Sequence, residues 1–195
     1  MKNRLFYKFF ISSSIAIITS FLVIMILLSI SVNSYFVKEK ETVLLDNCKT
    51  ISEVLSKETD NTANFYVSLN GVIRVVSNAV SGDAYVCDSE GNVFLCSCSE
   101  WKNYSSCAHS KGVIDESIRD SASKKGKYFE IGHLGSRLSR SYYTAATPFH
   151  ASDGSVAGYV FLSSPATLLN NMWSELSTIY ILCAILPVIL SFIFL

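Results

Sequence analysis

The chain has no Asp, Glu, Lys or Arg between Phe9 and Val37, and none again from Leu176 to Leu195. Two such runs exclude an ordinary water-soluble domain, because about 20 apolar residues suffice to cross a bilayer as a helix. Net charge is missing as well, with 16 basic residues balanced by 16 acidic ones. That balance excludes a nucleic-acid-binding domain, which needs a clustered basic face. The usual enzyme signatures are also absent. There is no H-E-x-x-H, no G-x-S-x-G and no P-loop, and His109, His133 and His150 have no evident nucleophile beside them. No catalytic residue, cofactor or metal is assigned to the chain on this basis.

What is present begins with a basic start. Lys2, Arg4 and Lys8 precede the first apolar run, and every acid lies between Glu39 and Glu175. A cleaved signal peptide would have an apolar region of only about 7–15 residues and a small-residue cleavage site. The run here is longer, and Ser29–Ser34 offers a poor site, so it reads as an uncleaved span. Basic residues ahead of it place the N-terminus in the cytoplasm and the following residues outside. The expected layout is a cytoplasmic tail (1–8), a first span (9–34), an extracytoplasmic domain (35–172) and a second span (173–195). The last run ends on bare apolar residues, so we expect the front end of a longer protein; the lipid bilayer is the first partner.

Between the spans, the apolar spacing predicts a helix over Tyr35–Lys57. Leu44, Cys48, Ile51 and Leu55 form a 4-3-4 seam on it. This seam packs either on the protein's own sheet or on a second copy as a parallel dimer. A second helix is expected from Thr62 to Val80. The period then changes to that of strands. Asp83–Asp88 and Val93–Ser97 flank turn residues with Gly, a hairpin. Val113–Ser123 suits a short helix, with Lys124-Lys-Gly126 as basic last turn and C-cap. Three further strands are expected over Lys127–Ile131, Ser141–Phe149 and Val156–Ser163. The last is apolar on both faces, as a central covered strand should be. The fold class is therefore α+β, a five-stranded antiparallel sheet with helices packed on it.

This order, bracketed by two spans, resembles the PAS-like sensor domain of PDC or single-Cache type found in bacterial membrane histidine kinases. The resemblance rests on Asp83-Ala-Tyr-Val-Cys-Asp-Ser-Glu-Gly-Asn-Val-Phe-Leu-Cys96 and on Tyr142-Tyr-Thr-Ala-Ala-Thr-Pro-Phe149 with Asp153-Gly-Ser-Val-Ala-Gly-Tyr-Val-Phe-Leu162. It implies reception of an unknown extracellular signal, a homodimer in the bacterial cytoplasmic membrane, and control of a histidine kinase inside. ATP would serve that kinase, and a cognate response regulator would receive its phosphoryl group, through domains not contained in these residues. The same front end also occurs in chemoreceptors and cyclic-dinucleotide enzymes; a two-span structural protein is the alternative from another class.

The exported region holds Cys48, Cys87, Cys96, Cys98 and Cys107, and Cys183 falls in the second span. Closing Cys107 onto Cys96 or Cys98 would pin the Ser99–Gly112 loop, and a loop of about ten residues is worth roughly 2–3 kcal/mol in the chain-entropy model. The rivals are a zinc site made by Cys96, Cys98, Cys107 and His109, whose ligand types suit tetrahedral coordination, and a redox-active thiol pair. Candidate ligand-pocket residues are Trp101 on the loop and His133, Arg137 and Tyr142 near one strand end. Arg137 or Arg140 could hold a carboxylate bidentately; solvated turn residues are the plainer reading of this group.

Overall fold

The computed structural model describes residues 2–57, 63–98, 112–135, 138–166, 177–187 and 189. In chain order these form α1 (Lys2–Lys57), α2 (Ala63–Val80), β1 (Asp83–Asp88), β2 (Val93–Cys96), α3 (Glu116–Lys125), β3 (Tyr128–Gly132), β4 (Tyr142–His150) and β5 (Val156–Pro165). The five strands make one sheet in the order β2-β1-β5-β4-β3. Every neighbouring pair is antiparallel. This is the expected α+β class, a PAS-like five-stranded sheet led by a long helix.

The apolar character of β5 has the cause inferred from its sequence. It is central, between β1 and β4, and Gly158 to Ser164 are all buried. At the end of α3, Lys124 and Lys125 occupy the last turn and Gly126 takes the left-handed conformation at φ 68°. A residue without a Cβ adopts that C-cap at little cost, which is why the helix stops there.

The 4-3-4 seam of α1 packs on its own sheet. Leu44, Cys48 and Ile51 are 0 to 1% exposed, and the Cys48 thiol donates to the Ala145 carbonyl oxygen at 3.5 Å. One and two turns further on, Ser52 Oγ accepts from the Thr147 hydroxyl at 3.3 Å and Ser56 Oγ accepts from the His150 N–H at 3.0 Å. A seam between two copies is thereby excluded for Leu44, Cys48 and Ile51, since the sheet already covers them. Leu55 departs from the seam and is only half-buried. From α2, Leu69, Ile73 and Val80 complete this side of the core. Asn70 Nδ2 donates to the Cys96 carbonyl at 3.2 Å, and Ser164 Oγ donates to the Val80 carbonyl at 3.1 Å.

The chain divides into two compact units, Lys38–Thr167 and Met1–Val37 with Leu168–Leu195. In the second, α1 exposes apolar side chains all around its axis, Ile26 at 59%, Leu27 at 60% and Ile30 at 65% among them. A helix apolar on every side is stable where its surroundings are also apolar. Its most apolar window of 18 residues has a mean hydropathy of 2.8, and by length and composition it can cross a membrane. Within the second apolar run, Ser177–Pro187 is helical; the rest of that run, Ile189 apart, lies outside the described residues.

Candidate functional site

Strand alternation sends successive side chains to opposite faces. On the face away from α1 and α2, the register aligns Tyr85 with Phe161, Phe161 with Ala146, Ala146 with Tyr128, and Thr144 with both Ser163 and Glu130. The Tyr85 and Phe161 rings stack with centroids 5.3 Å apart and planes within 1°. The Tyr85 hydroxyl then reaches Ser163 Oγ at 3.3 Å, and Ser163 Oγ lies 3.1 Å from Thr144 Oγ1. All three residues are at most 1% exposed. Hydroxyls serve here because each can both donate and accept, so a chain of them stays satisfied in a dry setting.

At the sheet edge a second polar group forms. The Tyr128 hydroxyl donates to the Glu130 carboxylate, whose other oxygen accepts from the Leu134 N–H at 2.7 Å. This contact draws the segment after β3 onto the sheet and holds Leu134 buried at a positive φ of 46°. Burial first, and then the neighbouring Glu130 charge and hydrogen bond, push the Tyr128 phenol well above its ordinary range. Burial likewise raises Tyr159 on the same face. α3 covers this side through Ile118 and Ala122, joined by Ile114 just ahead of the helix. Arg119 fastens the helix to the β1–β2 turn, donating to the Ile114 carbonyl at 3.0 Å and the Ser89 carbonyl at 2.6 Å.

Tyr142 begins β4 beside Gly132 and Pro165, at the same end of this face. Tyr143 points the other way and stacks on Phe129 at 6.5 Å. His133 is exposed, and its Nδ1–H donates to the Leu138 carbonyl at 3.0 Å while the Leu138 N–H returns a bond to the His133 carbonyl. That pair closes a turn. Arg140 is exposed. Trp101, Cys107, His109 and Arg137 lie outside the described residues.

Among the cysteines, Cys98 is disulfide-bonded, whereas Cys48, Cys87, Cys96 and Cys183 carry thiols. Cys96 Sγ sits 3.0 Å from Cys98 Sγ at the end of β2. Burial pushes the Cys96 thiol up to about 11, which keeps it protonated at neutral pH. Among the described residues no group of three His, Cys, Asp or Glu side chains is placed to hold a metal ion.

The sequence reading missed Tyr85, Thr144 and Ser163. The available signal was the Ser163-Ser164 pair closing a strand that is otherwise apolar from Val160 to Leu162. Chemically, the face supplies hydrogen-bonding hydroxyls over an aromatic floor and a carboxylate already engaged by two donors. The three hydroxyls are buried and bonded to one another, and none of these groups is a nucleophile with a base beside it. On the helix side, a groove of about 790 Å³ runs between α1 and β4, with Lys49, Ser56, Lys127 and Pro148 among its walls. Lys127 pairs with Glu41 at 3.7 Å and Lys49 with Glu53 at 4.0 Å, while Lys38, Lys57 and Lys125 also line the groove.

No family model matches the chain, and no curated protein sequence matches it. Three solved structures of similar fold are distant in sequence. The sensory domain of the Campylobacter jejuni chemoreceptor Tlp3 is 13% identical with a TM-score of 0.45, and the alignment covers 72% of this chain and 65% of that one. The Escherichia coli DcuS sensor domain is 8% identical with a TM-score of 0.47, over 70% of this chain and 98% of that one. The sensor domain of the Vibrio cholerae histidine kinase DctB is 17% identical with a TM-score of 0.47, over 66% and 52%.

Proposed function

We propose that this chain is the sensing and membrane-spanning region of a bacterial sensor histidine kinase, homodimeric in the cytoplasmic membrane, with its N-terminus inside and Lys38–Thr167 outside. The observation that carries the reading is the placement of the hydroxyl chain. Ser163 belongs both to that buried chain and to the last turns of β5, which ends at Pro165 shortly before the second apolar run. A small polar molecule that rearranged hydrogen bonds at Ser163 and Tyr85 would act on the strand leading back to the membrane. On the other side, α1 continues from the apolar segment into the sheet-packed seam without a break. A shift between these two connections would bias a two-state cytoplasmic output. ATP and a response regulator belong to the kinase part of this proposal.

A hybrid receptor tests it. The chain is fused after Leu195 to the cytoplasmic part of a kinase with a known reporter, and screened against small carboxylates, amino acids and other polar metabolites. The expected result is a ligand that changes reporter output and whose effect is lost when a flexible Gly-Ser stretch is inserted at Pro165. Signalling that survives this insertion would sink mechanical coupling. A chemoreceptor or cyclic-dinucleotide enzyme would use the same exported domain, and a phosphotransfer assay on the protein as expressed in its own cells distinguishes a kinase from them.

A further inference from the structure

Among the described residues the sheet breaks its antiparallel register at two places, and both lie at one cavity. Val86 faces Leu95 but Cys87 faces Val93, so Phe94 is an extra residue on β2. Phe149 faces Gly158 but His150 faces Val156, which leaves Ala157 as the extra residue on β5. Bulges re-aim side chains that strict alternation would send elsewhere. Phe94 accordingly meets Tyr66 of α2, with ring centroids 6.2 Å apart at 89°. Tyr66 meets Phe65 at 5.6 Å and 64°. A fourth ring depends on a glycine. A Cβ at Gly158 would lie 2.2 Å from the Cys87 carbonyl oxygen and 2.7 Å from two Phe149 ring carbons, so only a bare Cα leaves room for that ring beside β5.

The result is a cavity of about 350 Å³ walled by Phe65, Tyr66, Phe94 and Phe149, with Ser56 and His150 also lining it. Among the described residues no Asp, Glu, Lys or Arg lines it. It sits with α1 and α2, on the side of the sheet away from the hydroxyl chain, and its volume is within the range of small-molecule sites.

We propose that this cavity binds a small alkylammonium cation. An anion would find no lysine or arginine among its described lining residues. A flat aromatic guest is best held between near-parallel rings, whereas the Phe65–Tyr66 and Tyr66–Phe94 pairs stand at 64° and 89° and so wall a corner around a rounded group. Electron-rich ring faces attract a weakly hydrated cation, the interaction that underlies aromatic cages. The site is separate from the receptor reading above, which rests on the opposite face, so either can fail without the other.

The test is a calorimetric titration of the full chain in lipid nanodiscs with choline and with its neutral carbon isostere, dimethylbutanol. Choline is expected to saturate, with the isostere about tenfold weaker or more. Phe94→Leu keeps apolar volume but removes a ring, and is expected to weaken choline about tenfold. Tyr66→Phe keeps the ring face and is expected to bind like the parent chain. Equal binding of choline and isostere would overturn the proposal, as would failure to saturate or an unchanged affinity in Phe94→Leu. Circular dichroism monitors folding, and Phe65→Leu repeats the ring-removal test should Phe94→Leu fail to fold.

Discussion

The two faces of the sheet are built from different materials. The face under α1 and α2 is largely aliphatic, with Leu44, Ile51, Leu69, Ile73, Val86, Leu95, Val160 and Leu162 buried. Its hydroxyls, Ser52, Thr147 and Ser164, each bind a nearby partner between helix and sheet. The opposite face carries stacked Tyr85 and Phe161, a chain of three hydroxyls and the Tyr128–Glu130 pair. Burying polar groups costs free energy unless each is hydrogen-bonded. Here the hydroxyls meet that condition by bonding one another. The difference separates a holding face from the one that the proposed function makes the reading face.

The comparison can be broken most forcefully at the holding face. Ile51→Ala removes a side chain that is 1% exposed, and should destabilise the Lys38–Thr167 unit by about 2–5 kcal/mol. Urea unfolding should give the same loss at every protein concentration, because the seam is intramolecular; a concentration-dependent loss would return it to a dimer role. The next largest effect is expected where the bulged end meets the central strand. Gly158→Ala places its Cβ 2.2 Å from the Cys87 carbonyl oxygen, an overpacking expected to cost about 1–3 kcal/mol. A parent-like melting temperature would show that the strands open there without strain.

On the reading face, Ser163→Ala removes the oxygen lying between Tyr85 and Thr144. The expected loss is about 1–2 kcal/mol, smaller than at Ile51, together with a changed ligand profile in the hybrid receptor. Lost stability with an unchanged profile would reduce this face to a second core. The smallest effect belongs to neither face. Asp88 accepts from the Asn92 side chain and from the backbone N–H groups of Glu90 and Asn92 in the β1–β2 turn. Slight burial opposes its ionisation, but these bonds outweigh it and hold the carboxyl below its ordinary value of 3.8. A lowered folded-state value means a stabilisation present above that ordinary value and lost as pH falls through the folded one. Asp88→Asn should lower the melting temperature slightly at pH 7, where the ionised carboxylate stabilises, converge on the parent in acid and so flatten this limb; an acid limb identical to the parent's would assign the loss to other carboxyls.

Much of the fold could be read in advance because it follows from local rules. The hairpin, the α3 C-cap at Gly126 and the apolar β5 each depend on residues close in sequence, and each is found where expected. The seam on α1 was legible as a seam but not in its partner, since a 4-3-4 apolar pattern is the same whichever surface covers it. Tyr142 and Tyr143 look equivalent as neighbours near one strand end, yet alternation puts Tyr143 on Phe129 and away from Tyr142. The hydroxyl chain assembles Tyr85, Thr144 and Ser163 from three strands, a contact among distant residues that leaves no periodic trace. The aromatic cavity was hidden for a related reason. Alternation assigns Phe94 to the wrong face, and only the bulge corrects it.

By itself the sequence determined the charge-free runs, the order of helices and strands, and the central position of β5. These follow from hydropathy, turn chemistry and period, which act over a few residues. The tertiary structure decided that α1 is covered by its own sheet, that hydroxyls from three strands meet on one face, and that two bulges gather four rings at one end. Those outcomes depend on register and on which surfaces meet, and they are fixed only when residues far apart in the chain compete for the same space.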